Sequence, residues 1–145
     1  MQVFIAYGGT QAETIASRLQ SHLHLNGFET FLGAPASGTM IAGLDLDFQI
    51  YSALVNGDVM VAVCARGTRT SRPMSDEVRV FKNLSRPMIP FAPAGTSIPF
   101  RLDKKWAIWY NRSRPGNAFP KVVEELGKLR MTVRGLKRMR VGVYH

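Results

Sequence analysis

The sequence predicts an α/β fold, a three-layer sandwich in which a five-stranded parallel sheet of order 2-1-3-4-5 carries helices on both faces. Three observations lead there. Short apolar, β-branched segments alternate with longer segments whose apolar residues recur every three to four positions, the pattern of parallel strands joined by helical crossovers. Residues 58–65 are apolar without alternation, which suits a central strand covered on both faces. Sequence-adjacent strands joined by right-handed crossovers with one reversal then give that strand order.

Taken in order, Val3-Phe4-Ile5-Ala6-Tyr7 is rich in strand formers and stops at Gly8-Gly9. Thr10-Gln11-Ala12-Glu13 follows as a capping-box pattern, and Ala12, Ile15, Ala16, Leu19 and Leu23 continue at helical spacing to Asn26-Gly27, a favourable helix stop. Phe28 to Leu32 reads as the second strand. A Gly-, Ala- and Pro-rich loop over residues 33–43, bounded by Gly33 and Gly43, precedes a helix in which Leu44, Phe48, Tyr51 and Val55 share a face that Ile50 and Leu54 widen. After the third strand, Ser75 is expected to cap a helix running to about Leu84, with Asp76 and Glu77 in its first turn. Met88-Ile89-Pro90-Phe91 and Trp106 to Tyr110 are the fourth and fifth strands, the two tryptophans being expected to pack. Pro120 fits the first turn of a last helix whose Val122, Val123, Leu126 and Leu129 face inward. Beyond Arg130 the pattern leaves helix, strand and loose tail open. The whole is a flavodoxin-like arrangement, with residues 6–10, 33–43 and 65–75 expected at one edge of the sheet, where open α/β sheets bind ligands.

The 145 residues, 46% hydrophobic, suit one compact domain, divided here into residues 1–130 and a basic extension over residues 131–145. The apolar run 59–65 is far shorter than the about 20 residues a membrane helix needs, so no membrane span is expected. The opening residues lack the basic segment of a secretory signal, and a cytoplasmic location is the expectation. A single cysteine, Cys64, lies inside an apolar segment and reads as a core residue; the three histidines lack zinc-ligand spacing, so no metal is expected. The net charge of +9 is uneven: residues 1–100 carry seven basic and seven acidic side chains, residues 101–145 twelve and three. Basicity without a nucleic-acid reading motif makes nucleic acid an unlikely partner and fits a solvated tail.

The order of elements and several short words resemble the Toll/interleukin-1 receptor (TIR) domain, especially its small prokaryotic members. These words are Val3-Phe4-Ile5-Ala6-Tyr7, Asn26-Gly27-Phe28, Ile41 with Gly43, Ala53 with Asp58, and Ile89-Pro90. The most specific is Ser71 followed six residues later by Glu77, with Pro73 where the family usually has tryptophan. The resemblance covers residues 2–130. It implies an enzyme that takes NAD as substrate, with no cofactor, and breaks the nicotinamide–ribose bond as a hydrolase or a cyclase in defence or stress signalling. It makes Glu77 the catalytic carboxylate and implies self-association through the 33–43 loop, with a separate effector or sensor protein as a further partner.

The residues are compatible with that chemistry. Loss of nicotinamide leaves positive charge on the ribose, and a fixed carboxylate facing it lowers the barrier. Tyr7, Gly8 and Gly9 offer a crevice floor where backbone approaches the ligand, and Ser71 a ribose contact or a loop anchor. Gly8-Gly9 is no phosphate-binding loop, since the further glycines and the Gly-Lys-Ser/Thr ending are missing. The plainer reading of Glu77 is a first-turn acid that complements the helix dipole by about 0.3–1 kcal/mol; the same reading suits Asp76, Asp45 and Asp47. Two further functions remain open: a non-catalytic TIR assembly module, and a nucleoside-deoxyribosyltransferase-like enzyme with a glutamate nucleophile.

Overall fold

The computed structural model describes residues 1–33 and 44–144, with side chains over residues 1–33 and 49–132. The strands are β1 (Gln2–Tyr7), β2 (Glu29–Leu32), β3 (Val59–Val63), β4 (Met88–Pro93) and β5 (Ile108–Tyr110). Among the described residues they form one all-parallel sheet in the order β2-β1-β3-β4-β5, the arrangement the sequence predicts. Four α-helices accompany them among the described residues: α1 (Thr10–Leu25), α2 (Leu44–Asn56), α3 (Arg72–Asn83) and α4 (Phe119–Tyr144).

Alternation along β1 sorts the core into two halves. Val3, Ile5 and Tyr7 pack with Ala16, Leu19 and Leu23 of α1 and with Phe119, Val122 and Leu126 of α4. Phe4 and Ala6 pack on the other face with Leu54 of α2 and with Met74, Val78 and Phe81 of α3. All five residues of β3 are buried, as expected of a strand covered on both sides. Cys64 is buried beside it, and burial pushes its thiol up to about 12.

Five local expectations are corrected. Helix α1 is not capped by Thr10: the N-cap is Gly9, whose φ of 95° with ψ of 158° is a conformation essentially reserved for glycine, and no side chain caps it. Helix α2 turns Leu54 inward, with Ile50 and Ala53 beside it, and leaves Tyr51 56% exposed. With apolar residues around most of that helix, spacing alone does not choose the buried side. Helix α3 begins at Arg72 and is capped by Ser71, whose Oγ accepts from the Met74 amide at 3.3 Å; Ser75 is interior and no acid stands in the first turn. Strand β5 begins at Ile108, after a short 3-10 helix over Lys104–Trp106. It is an edge strand, and it turns Ile108 and Tyr110 inward, which leaves Trp109 outward at 42% exposure and Trp106 at 60%, so neither tryptophan packs into the core. The open question beyond Arg130 resolves as helix, since α4 runs unbroken to Tyr144.

No helix among the described residues is long and apolar enough to cross a membrane. The link from β4 to β5 carries no α-helix. Instead Ile98, Phe100 and Leu102 close the α2–α3 side of the sheet, while Lys82 donates to the Phe100 and Arg101 carbonyls at 3.1 and 2.9 Å.

Candidate functional site

Two loops meet where the sheet order reverses between β1 and β3, the place where open α/β sheets offer a crevice. They are tied together by one buried side chain that sequence reasoning missed, Thr68. Its hydroxyl donates to the Gly8 carbonyl at 2.7 Å and accepts from the Ala65 amide at 2.8 Å. Gly9 lies against the second loop as well, a Cβ there standing 3.1 Å from the Arg66 carbonyl oxygen. Nothing in the local sequence marks Thr68, because its role depends on a residue 60 positions away.

Gly8 is set by contact and not by backbone angle. A Cβ on it would stand 2.5 Å from Ser71 Cβ and 2.9 Å from Ser71 Oγ, so the start of α3 sits directly on the β1 loop. Ser71 therefore both caps α3 and fills the space left by Gly8. Tyr7 ends β1 just before Gly8. Its ring is buried in the α1–α4 half of the core, and its hydroxyl is pushed up to about 12, by burial first and then by the charges of Glu13 and Glu77.

Glu77 departs from its plainer reading. Because α3 starts at Arg72, Glu77 lies in the second turn, past the amides that make a helix start attractive to acids. It occupies the buried stripe Met74, Glu77, Val78, Phe81, spaced as a core-facing helix surface, and is 4% exposed. Asp76, one position earlier, points to solvent and pairs with Arg79 at 2.7 Å, a surface contact worth little. The Glu77 carboxylate reaches the carboxyl-terminal end of β2. A Cβ on Gly33 would stand 2.7 Å from Glu77 Oε2 and 3.2 Å from both Oε1 and the Ile5 carbonyl oxygen. Gly33, expected at this edge only as the start of the 33–43 loop, gains a role that sequence reasoning missed: its missing side chain is the seat of the carboxylate, while its amide continues the sheet by donating to Ile5 at 2.8 Å.

The structure thus brings Ser71 and Gly8 into contact, sets Gly9 beside the loop after β3, and places Glu77 over Gly33 between the ends of β1 and β2. Residues 34–43, the third segment expected at this edge, lie outside the described residues, as do the side chains of Asp45 and Asp47. No group of three or more His, Cys, Asp or Glu placed to hold a metal occurs among the described residues. What the arrangement offers chemically is a carboxylate in a largely desolvated position, where its field acts on a nearby developing cation more strongly than in water. No family model matches the chain, and no curated protein matches it.

Proposed function

We propose that this chain is a TIR-type enzyme that takes NAD as substrate and breaks the bond between nicotinamide and ribose, with Glu77 as the catalytic carboxylate. One observation carries the reading: an acid occupies the buried stripe of α3 and reaches the carboxyl-terminal edge of the sheet, over a glycine that makes room for it. The sheet order and the Ser71–Glu77 spacing support it. Nicotinamide departs with the electron pair of the C–N bond and becomes neutral, leaving an oxocarbenium-like ribose. The Glu77 carboxylate faces that charge and orders the ribose hydroxyls. Water then adds to the same carbon and loses a proton, giving the hydrolysis product; an adenine nitrogen in its place gives a cyclic one. Gly8 and Gly9 supply backbone against the ligand, and Ser71 fixes the start of α3 that aims Glu77. Pro73, in place of the family's tryptophan, provides rigidity at the helix start and no aromatic face.

The test is nicotinamide release from NAD by the wild-type chain, Glu77→Gln and Asp76→Asn at high protein concentration. Removing a charge that acts in the transition state is expected to cost Glu77→Gln at least about 100-fold in turnover, with Asp76→Asn near wild type. Equal release by wild type and Glu77→Gln would falsify the assignment. Absence of release from wild type, with self-association intact, favours the assembly module, and nucleobase exchange from a deoxynucleoside favours the deoxyribosyltransferase-like enzyme.

A further inference from the structure

On the opposite face of the sheet from Glu77, a groove of about 650 Å³ runs along α1 and across the ends of β3, β4 and β5. Three arginines from three separate elements converge on it: Arg18 of α1, Arg66 after β3 and Arg112 after β5. Among the described residues no carboxylate lines it, and none of the three arginines makes an ion pair. The one acid in the first turn of α1, Glu13, is off the face that Gln11, Thr14, Ile15 and Arg18 present at helical spacing to the groove.

Side-chain contacts hold the groove in shape. Arg18 is stacked 5.8 Å from the centre of the Phe119 ring, and its guanidinium stands 3.0 Å from where a Cβ on Gly116 would be, so a glycine makes room for it. The floor is fixed by Tyr110, whose hydroxyl donates to the Cys64 carbonyl at 2.6 Å. Three arginines on one concavity make it attractive to a multiply charged anion, which can take their forked donors in pairs. Ser113 adds a hydroxyl, and Ile15, Pro93 and Pro115 give apolar wall for an uncharged portion of the ligand.

We propose that this groove binds a small phosphorylated molecule of the nucleoside diphosphate class, through Arg18, Arg66 and Arg112. Convergence of single arginines from separate elements into a cavity differs from the basic stripe along one surface that tracks a nucleic-acid backbone. The site stands independently of the assignment of Glu77.

The test is calorimetric titration with ADP, inorganic pyrophosphate and adenosine as probes. It uses the wild-type chain, Arg18→Gln, Arg66→Gln, Arg112→Gln, the triple variant, Glu77→Gln and the distant control Lys121→Gln. The three arginines are exposed, so the variants are expected to keep the wild-type melting temperature, which is measured alongside. ADP and pyrophosphate are expected to bind and adenosine not to. Each single arginine substitution is expected to weaken ADP by about 5- to 20-fold and the triple by at least about 100-fold, with Glu77→Gln and Lys121→Gln unchanged. Absence of ADP binding, adenosine binding as tightly as ADP, or a triple variant within about threefold of wild type would overturn the proposal. So would loss of ADP binding in Glu77→Gln, which puts the ligand on the Glu77 face of the sheet. A single-stranded oligonucleotide that binds more tightly than ADP and depends on the same arginines would assign the groove to nucleic acid.

Discussion

Replacing Gly8 by alanine tests the contact on which the candidate site is built. The new methyl carbon would stand 2.5 Å from Ser71 Cβ, 2.9 Å from Ser71 Oγ and 3.3 Å from Met74 Sδ. Carbon atoms settle at about 3.5–4.0 Å, so roughly 1 Å must open between the β1 loop and the start of α3. Neither side gives way freely. Gly8 is held through its carbonyl by Thr68 at 2.7 Å, and Ser71 is held as the cap of α3 through the Met74 amide at 3.3 Å. Overpacking of this kind costs about 1–3 kcal/mol, and displacing the cap adds about 0.5–2 kcal/mol, with partial overlap between them. A loss of about 2–4 kcal/mol follows, or roughly 6–15 °C in melting temperature for a chain of this length. Ser71→Gly removes both of the nearest atoms and by itself costs only a few tenths of a kcal/mol, about what a glycine cap loses. The double variant should therefore recover at least about 1 kcal/mol relative to additivity. Denaturant midpoints of the four proteins, at unchanged slope, give the cycle. Strict additivity, or Gly8→Ala within about 0.5 kcal/mol of wild type, would refute the account of why position 8 is glycine.

Three other outcomes follow from the same geometry. Gly33→Ala drives a methyl to 2.7 Å from Glu77 Oε2, so it should displace the carboxylate, and nicotinamide release, if wild type shows it, should fall by at least about 10-fold with only a modest drop in melting temperature; unchanged release would detach Glu77's position from activity. Burial raises Cys64 from 9.0 to about 12, and Tyr7 and Tyr110 from 10.0 to about 12. The unfolded chain releases these protons first, so their contribution is intact below pH 9 and is lost as pH rises towards 12. Denaturant midpoints should fall across that window more steeply in wild type than in a Cys64→Ala, Tyr110→Phe chain, and equal slopes would count against it. A chain ending at Arg130 keeps the Arg130 guanidinium 4.1 Å from the Phe28 ring and all of the described core, so its melting temperature should stay within about 5 °C of the full chain; failure to fold would make the rest of α4 part of the core.

The order of elements was legible because it rests on local signals that agree with the global fold. Asn26 and Gly27 end α1 where the sequence puts its stop, with Gly27 at a φ of 80°, and the unbroken apolar run of β3 is a central strand. What was not legible is decided between segments. Ser71 and Ser75 both precede helix-compatible residues, and the choice falls to Ser71 because Pro73, lacking an amide hydrogen, is accommodated in the first turn. Trp106 and Trp109 lie at the open edge of the sheet, where no neighbouring strand follows among the described residues, a fact invisible in their own hydrophobicity. Gly9 was legible as a loop glycine but not as the cap of α1, because its backbone angles are set by the packing of that loop on Arg66.

Asp76 and Glu77 show how little separates a surface charge from a site. They are adjacent in sequence, have the same charge, and both qualify as helix-start acids if α3 begins at Ser75. Starting the helix at Arg72 takes the dipole argument from both, since neither then stands in the first turn. The roughly 100° between successive residues of a helix does the rest. It puts Asp76 beside Arg79 in water and Glu77 in line with Met74, Val78 and Phe81 against the sheet. The stripe was readable from the spacing 74, 77, 78, 81, yet starting the helix at Ser75 put both acids in a first turn and left the burial of Glu77 unread. A buried carboxylate carries a desolvation cost that a surface cap does not. Within the same stripe an apolar residue would fill the position without that cost, so the identity of residue 77 is not explained by packing. Its reach to the carboxyl-terminal edge of the sheet, over the space Gly33 leaves, is the feature on which the proposed chemical role of Glu77 rests.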